Sequence, residues 1–263
     1  MYDKFKTITT SIQHKINKKL LLALGALLLI AGFALYLPNT VSVSNTVSGK
    51  ELPINCVKTE KKQVALSFNV VSGNSYTQDI LGILAKYNIK ATFFVTGSWV
   101  DSYPDDVKTI AAAGHDLGNY SENYKNMSQL SNEDCQLELE QVHNKVKELT
   151  GIEMNLFRPP YSDYNNDVIA AARECGYYTI AGNVDSLDWK DYGADSIVRT
   201  VTKHENLENG SIIVMNNSAK YTKDALETIV TTLEREGYEL VPVSELLYTK
   251  RYHLDDEGRQ IGE

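Results

Sequence analysis

The sequence predicts an α/β fold of parallel strands, and three observations support this prediction. Short stretches rich in β-forming residues alternate with amphipathic stretches of helical length from residue 63 onward. The first strand-like stretch, residues 64–68, is almost continuously apolar, as is typical of a parallel strand covered on both faces. Seven such strand–helix units follow one another in the chain. Seven units predict a closed or nearly closed barrel.

The predicted elements follow in order, without an internal repeat. The first strand ends in a polar turn at Gly73, and Ser131 followed by Glu133 and Asp134 predicts the start of the longest helix. Glycines that predict helix ends stand at positions 151, 176 and 237. The predicted strands are 63–69, 91–96, 115–118, 154–158, 177–182, 211–215 and 238–241, and the predicted helices are 76–87, 104–113, 132–149, 165–175, 194–206, 221–236 and 243–248.

A membrane anchor is predicted before the first strand. Residues 20–37 form an unbroken run of 18 apolar or small residues, which is long enough to cross a bilayer. Lys15, Lys18 and Lys19 precede this run, so we expect residues 1–19 in the cytoplasm and the rest outside. A cleaved signal peptide is the alternative, but its apolar core is usually shorter, and no convincing small-x-small cleavage site follows the run.

The exported part is predicted to contain one domain. Residues 38–50 are polar, rich in Ser, Thr and Asn, and aperiodic, which is typical of a linker. Residues 51–249 contain all the predicted elements, and the charged residues 250–263 are predicted to form a mobile polar tail. The expected location is therefore the cell membrane, with a single pass and an extracytoplasmic domain.

Composition and charge exclude several classes of protein. The chain has 263 residues, of which 43% are hydrophobic and 23% charged, so general disorder and a multi-span membrane protein are both excluded. The formal charge is −8, and the first 37 residues carry five lysines against one acidic residue, which leaves about −12 on the remainder. A protein that binds nucleic acid would present a basic surface instead.

Metal-ligating side chains do not group into a recognisable site. The three cysteines have no CxxC spacing and are interpreted as small buried residues, although a Cys135–Cys175 bridge stays open. The histidines are interpreted as solvated or structural, and they are His14, His115, His143, His204 and His253. Four carboxylates at predicted loops would bind a hard cation only weakly, and they are Glu122, Asp163, Asp185 and Asp188.

Polar and aromatic stretches stand at predicted strand ends, where a parallel barrel places its chemistry. Two prolines follow Arg158 and fix an extended backbone, so the direction of the guanidinium is expected to be fixed as well. Asp188 and Trp189 combine a carboxylate with a flat apolar ring, which is a common arrangement for binding a sugar. The alternative interpretation is that Trp189 packs in the core. The stretches are 67–69 (SFN), 118–124 (GNYSENY), 157–161 (FRPPY), 184–189 (VDSLDW) and 210–217 (GSIIVMNN).

Over residues 52–248 the sequence resembles the polysaccharide deacetylase family with the NodB homology domain, carbohydrate esterase family 4. It is most similar to the sporulation-associated, membrane-anchored branch. Matching stretches are 89–95 (IKATFFV), 114–119 (GHDLGN), 157–161 (FRPPY), 163–165 (DYN) and 184–189 (VDSLDW). The resemblance implies a distorted (β/α)7 barrel. It also implies an ancestral activity, the hydrolysis of the N-acetyl group of an amino sugar with the help of a divalent metal such as zinc.

The catalytic positions depart from the family pattern. The aspartate base matches Asn69, whose carboxamide cannot take a proton from water. The two metal-binding histidines match Tyr120 and Tyr124, and a neutral phenol is a poor zinc ligand. The histidine acid matches Asn216, and Val70 stands where many members have a second aspartate ligand. We therefore expect no bound metal or other cofactor.

The resemblance assigns the remaining residues to two groups. The family's catalytic positions fall on Asn69, Arg158, Asp185 and Asn216, and these are expected to be inactive. With residue 69 no longer an aspartate, Arg158 is expected to pair with Asp185 or Asp188, or to stay available for a ligand. The candidate substrate-binding residues are Tyr120, Tyr124, Pro159, Tyr161, Asp188 and Trp189.

Three hypotheses follow from these residues. The favoured one is an inactive envelope protein that binds peptidoglycan-type N-acetylated glycan or a protein partner, and no nucleic acid. The second is a working deacetylase with a rebuilt site, in which Asp185 or Asp188 activates water and Tyr120 polarises the carbonyl. The third is a folded structural domain that binds no sugar.

Overall fold

The computed structural model describes residues 46–47 and 49–263. The predicted segments 1–19 and 20–37, and most of the predicted linker 38–50, lie outside these residues. Within the described part of the chain, no helix is long and apolar enough to cross a membrane. The anchor therefore stays a prediction.

The regular elements alternate along the chain much as predicted. The strands are β1 (Thr46–Val47), β2 (Lys50–Glu51), β3 (Cys56–Val57), β4 (Gln63–Val70), β5 (Thr92–Val95), β6 (Asp116–Asn119), β7 (Leu156–Phe157), β8 (Tyr178–Thr179), β9 (Val184–Asp185), β10 (Ile212–Asn216), β11 (Glu239–Val241), β12 (Tyr252–Leu254) and β13 (Arg259–Gly262). The α-helices of the described residues are α1 (Thr77–Lys86), α2 (Gly97–Ser102), α3 (Pro104–Ala112), α4 (Asn132–Thr150), α5 (Asn166–Glu174), α6 (Ala194–Thr202), α7 (Thr222–Arg235) and α8 (Val243–Leu246).

The central sheet is parallel and curves into a half-barrel. Its strand order is β8-β7-β6-β5-β4-β10-β9, and β11 also pairs with β4. The predicted strand 177–182 is observed as the shorter β8, which pairs with β7. The strand β9, which follows it in the chain and pairs with β10, was not predicted. The predicted α/β fold of parallel strands is confirmed, as a half-barrel instead of the predicted closed or nearly closed (β/α)7 barrel.

Strand β4 is buried on both faces, which explains its apolar sequence. Leu66 and Phe68 pack towards the helices, whereas Ala65 packs in a second apolar cluster inside the curve of the sheet. Because side chains alternate along a strand, Ser67 and Asn69 share the inner face with Ala65. This alternation places Ser67 and Asn69 on the inner face of the half-barrel, near the carboxyl end of β4.

The prediction of a mobile tail at residues 250–263 was wrong. These residues form a hairpin of β12 and β13, and β13 pairs with β3. Tyr252 and Leu254 are buried on one face of the hairpin. Gln260 is fully buried, and its side chain accepts a hydrogen bond from Tyr248 N and donates one to Tyr248 O. Tyr252 and Leu254 are separated by one polar residue, which is the pattern of a strand, but the charged residues around them obscured this pattern.

His115 lies in the core as a neutral hydrogen-bond acceptor. It is 5% exposed, its Nδ1 accepts a hydrogen bond from Ala91 N at 3.1 Å, and its ring packs edge-on against Phe93. Burial, with a smaller effect from Lys90, lowers its pKa from 6.5 to about 4. The folded state therefore binds fewer protons than the unfolded state between these two pH values.

We expect His115 to make the fold acid-sensitive. Its contribution is complete above pH 6.5 and is lost as the pH falls towards about 4. At about 1.4 kcal/mol per pKa unit, the loss in the free energy of unfolding is about 3 kcal/mol. Urea denaturation across this range should show the slope in the natural chain and in the exposed-site control His253→Gln, but not in His115→Gln. An equal slope in all three proteins would contradict the assignment.

Candidate functional site

The site lies at the rim, by which we mean the carboxyl ends of β4, β6, β7, β9 and β10 with the loops that follow them. Asn69 on β4 and Asn216 on β10 are register partners in the sheet. Asn69 Nδ2 donates a hydrogen bond to Asn216 Oδ1 at 3.4 Å. The two positions that the resemblance assigns to base and acid are therefore directly linked to each other.

Arg158 extends from the end of β7 beneath Asn69. Its Nη1 donates to Asn69 Oδ1 and its Nη2 donates to Ser67 Oγ, both at 2.9 Å. The guanidinium lies 4.1 Å from the centroid of the Phe94 ring, and the residue is 4% exposed. Burial lowers its pKa to about 10, which still leaves it charged at neutral pH. The expectation that Arg158 pairs with an aspartate was wrong, because Asn69 still accepts its hydrogen bond.

Asp188 supports Asn216 from the other side. Its Oδ1 accepts a hydrogen bond from Asn216 Nδ2 at 2.6 Å, and its Oδ2 accepts from Asn216 N and from Thr222 Oγ1 at 2.7 and 2.6 Å. The residue is 0% exposed. Burial raises the pKa of Asp188, against the effect of these donors. The prediction that Asp188 contacts sugar was wrong, since its carboxylate is enclosed and fully used, and the same enclosure leaves no place for water to be activated.

These contacts form one chain of hydrogen bonds from a buried cation to a buried anion, which we call the amide bridge: Arg158 to Asn69, Asn69 to Asn216, and Asn216 to Asp188. Each amide accepts with its oxygen and donates with its nitrogen along this chain. A carboxamide has no basic electron pair at neutral pH. The amide bridge therefore offers neither a base to deprotonate water nor an acid to protonate a leaving amine.

The tyrosines at the histidine positions form an aromatic stack rather than a metal site. Tyr120 and Tyr124 meet edge-on at 5.1 Å between centroids, and Tyr124 lies 4.4 Å from Tyr161. Tyr120 is 4% exposed, and burial followed by the neighbouring Tyr124 raises its pKa well above the ordinary range. Its phenol therefore stays protonated.

The donor set at the rim does not fit the divalent metal that the family implies. The matched positions supply an amide, the apolar Val70, and the two tyrosines. Zn²⁺ in proteins is held by imidazole, thiolate or carboxylate. In the described ranges, no group of three or more His, Cys, Asp or Glu side chains is placed to hold a metal ion.

Glu138 positions the loop that carries Tyr120 and Tyr124, and sequence reasoning missed it. Its carboxylate accepts hydrogen bonds from Ser121 Oγ, from the Asn123 backbone and side chain, and from Lys125 Nζ. Burial raises its pKa, but these donors outweigh burial and lower it to about 2. The sequence signal that could have identified it is a glutamate among the apolar residues of one face of α4, beside Leu139.

Three aromatic side chains project from the rim into solvent, and the most exposed is Tyr192, at 72%. Tyr161 is 62% exposed and Trp189 is 60% exposed. Tyr161 has φ 58 and Tyr124 has φ 53, a left-handed conformation that non-glycine residues rarely adopt and that concentrates at functional sites. Pro159 is buried, so it shapes the turn between Arg158 and Tyr161 instead of contacting a ligand.

Asp185 is the exposed carboxylate of the rim. It aligns with Val214, which aligns with Ser67, so the three share the inner face of the sheet. Its Oδ1 accepts a hydrogen bond from Leu187 N at 2.9 Å, which holds the loop leading to Trp189. The structure thus brings the predicted residues to one rim, but it buries Asp188 and Pro159 below the surface.

Comparisons with known proteins agree with this geometry. The model of the family described as "Polysaccharide deacetylase" matches residues 57–180. A peptidoglycan-N-acetylglucosamine deacetylase of Bacillus cereus is 34% identical over 199 residues, which cover 74% of this chain and 92% of that protein.

The chain belongs to the polysaccharide deacetylase family.

Solved structures of this family share the fold. The wild-type protein BA3943 of Bacillus anthracis, described as a carbohydrate esterase family 4 pseudoenzyme, has a TM-score of 0.71 and 31% identity and covers 81% of this chain and 73% of its own. A BA3943 mutant described as having restored enzymatic activity has a TM-score of 0.71 and 33% identity, with 76% and 72% covered. The family assignment therefore rests on sequence and on structure.

The amide bridge predicts that Asp188 matters for stability. An Asp188→Asn variant presents an NH₂ group to donors that now point at an oxygen, which leaves buried groups unsatisfied. We expect the free energy of unfolding to fall by roughly 2–4 kcal/mol in chemical denaturation. The control Asp191→Asn has the same change in charge on the same loop, but Asp191 is exposed, so a loss within about 0.5 kcal/mol is expected. Equal losses in the two variants would contradict the role of Asp188.

Proposed function

We propose that this polysaccharide deacetylase-like protein is a catalytically inactive member of the family. It is anchored in the cell membrane by residues 20–37 and binds peptidoglycan-type glycan of N-acetylated amino sugars outside the cytoplasm, in the cell or spore envelope. A protein partner on the same rim is the alternative occupant. Binding without hydrolysis is the central part of the proposal.

The observation that carries this proposal is the amide bridge. Deacetylation by this family's chemistry needs a base near the acetamide carbonyl and a cation that polarises it. Asn69 supplies no base, and the rim donors do not fit a divalent metal. Arg158 is charged, but Asn69 and Ser67 accept its hydrogen bonds and the Phe94 ring covers it. Its guanidinium therefore does not point towards a ligand at the rim.

Glycan binding is supported by the exposed aromatics. Large apolar side chains that stay exposed on a monomer mark interaction sites when they cluster. Tyr161 and Trp189 are more than half exposed and lie on the rim loops that follow β7 and β9. A sugar ring presents an apolar face of C–H groups that packs on an aromatic ring. The relatives named as peptidoglycan deacetylases act on glycans of this kind, which favours the same ligand class here.

Acetate release tests the loss of activity. The purified full-length chain is incubated with N-acetylated peptidoglycan fragments and added Zn²⁺ or Co²⁺. We expect no release from the natural chain, and release from a variant with Asn69→Asp, Tyr120→His, Tyr124→His and Asn216→His. Restored activity in the BA3943 mutant supports this design. The control Asn69→Asp alone restores a base without metal ligands and is expected to stay inactive.

Release of acetate by the natural chain would overturn the proposal. Asp185 would then be the first candidate for the base, because it is the exposed carboxylate on the inner face of the rim. Loss of that activity in Asp185→Asn would identify a rebuilt site.

The exposed aromatic ring of Trp189 predicts how a mutation at this position affects glycan binding. Replacing Trp189 by Ala removes an exposed ring and should weaken binding of peptidoglycan fragments roughly tenfold, which corresponds to about 1.4 kcal/mol. The control Leu137→Ala removes an exposed apolar side chain from a helix, α4, instead of a strand-end loop, and should leave the Kd unchanged. Isothermal titration calorimetry measures both. A natural chain that binds no fragment would support the purely structural alternative.

A further inference from the structure

The turn that carries Tyr161 has an unusual backbone. Tyr161 and the residue after it, Ser162, both have left-handed φ values, 58 and 55. Residues other than glycine adopt this conformation at a cost in free energy, because the Cβ atom comes too close to the following carbonyl oxygen. Two such residues in succession need contacts elsewhere that hold them in place.

Left-handed residues of this kind concentrate at the rim. In the part of the chain that the structure describes, eight non-glycine residues have a positive φ, and six of them lie in rim loops: Ser121, Tyr124, Tyr161, Ser162, Leu187 and Asp191. Strained backbone at a functional site persists only where the surrounding structure enforces it. The contacts that enforce it at the rim are therefore part of the site.

Asp163 supplies such contacts directly after the turn. Its Oδ2 accepts a hydrogen bond from Ser128 N at 3.0 Å, and its Oδ1 accepts one from Ser128 Oγ at 2.6 Å. Ser128 belongs to the loop after β6, and its neighbour Met127 is fully buried, which attaches Ser128 to the core. Both carboxylate oxygens of Asp163 thus bind one residue of another rim loop. We call this pair, Asp163 and Ser128, the loop clamp.

Further hydrogen bonds hold the chain on both sides of Asp163. Asp163 N donates to Pro160 O at 2.9 Å, which closes the turn around Tyr161. Asn165 Nδ2 donates to Ser128 O at 3.3 Å, and Asn165 also caps the start of α5. The turn is therefore fixed to the β6 loop and to a helix at once.

The two loops that the clamp joins also carry two aromatic rings that meet at the rim. Tyr124 lies in the loop after β6 and Tyr161 in the loop after β7, and their ring centroids are 4.4 Å apart with 50° between the planes. Tyr161 is nevertheless 62% exposed, so much of its ring is open to a ligand. A ring held in this way loses little conformational freedom when a sugar packs on it.

We propose that Asp163 is a positioning residue for glycan binding and that it acts through Tyr161. The loop clamp holds the left-handed turn, and the turn keeps the Tyr161 ring exposed and against Tyr124, where the apolar face of a sugar ring can pack on it. This inference rests on the proposed function. Asp163 itself makes no contact with the glycan in this account.

A double-mutant cycle tests whether Asp163 acts through Tyr161. The full-length chain is titrated calorimetrically with the tetramer of N-acetylglucosamine. We expect Asp163→Ala to weaken binding about fivefold, because the Tyr161 ring must then be ordered on binding. In a Tyr161→Ala background the same change should leave the Kd unaltered, since the ring on which Asp163 acts is missing. An equal loss in both backgrounds, or no loss in either, would overturn the proposal.

A rescue experiment separates positioning from a general loss of structure. Adding Ser162→Gly to Asp163→Ala puts glycine at a position where φ is 55, which glycine adopts without strain. The turn then needs less support from the loop clamp, so binding should return to within about twofold of the natural chain. A double variant that binds as weakly as Asp163→Ala would show that Asp163 does not act by holding the strained turn.

Hydrogen exchange provides a measurement that does not depend on a ligand. The backbone amides of residues 158–163 should exchange faster in Asp163→Ala than in the natural chain, because the turn opens more often without the loop clamp. The control Asp167→Ala removes an exposed carboxylate from the first turn of α5 and should change neither this exchange nor the Kd. Unchanged exchange in Asp163→Ala would contradict the loop clamp.

The remaining outcomes separate this inference from the proposed function. If the natural chain binds the tetramer and Asp163→Ala binds it equally well, the positioning role is wrong and glycan binding stands. If the natural chain binds neither the tetramer nor any peptidoglycan fragment, glycan binding itself is wrong. The positioning role then falls with it, even where hydrogen exchange confirms the loop clamp.

Discussion

The buried guanidinium of Arg158 is the constraint on which the rest of the site depends. A charge that is 4% exposed needs hydrogen-bond acceptors around it, and Asn69 and Ser67 on β4 supply them. These contacts fix the turn after β7, where two prolines place Arg158 inside and Tyr161 outside. The ends of β7 and β4 are thereby connected across the half-barrel. Two amides connect Arg158 to Asp188, which ties β10 into the same arrangement, and Asp185 is the carboxylate that acts on the guanidinium electrostatically.

This arrangement explains how catalytic groups can change while the fold persists. An amide at residue 69 accepts the same kind of hydrogen bond from Arg158 that a carboxylate would accept, so the guanidinium keeps its partner. At the positions matched to metal ligands, the tyrosines fill the space with an aromatic stack. Each replacement satisfies packing and hydrogen bonding locally. These side chains lack the reactivity of the family's residues, because none of them is a basic or metal-ligating group.

Much of the fold and the composition of the site followed from the sequence, because both rest on local patterns. The apolar run of β4 and the strand-end motifs placed Asn69, Arg158 and Asn216 together before the structure did. Burial was harder to predict: Asp188 beside Trp189 resembles a sugar-binding pair, yet one is enclosed and the other exposed. Glu138 was missed because its partners lie in a loop outside its own helix, and the terminal hairpin was missed because its partner strand, at Cys56, lies far from residue 259 in the sequence. Such partners depend on the tertiary fold and leave little trace in a local window.

Zinc binding tests the central claim most directly, since the claim is that the site has exchanged metal ligands and base for a neutral amide bridge and an aromatic stack. Equilibrium dialysis of the full-length chain with Zn²⁺ should show no stoichiometric binding that depends on residues 69, 120 and 124. The variant that restores aspartate at 69 and 70 and histidine at 120 and 124 should bind about one equivalent. One tightly bound equivalent in the natural chain, lost on Tyr120→Phe, would contradict the account.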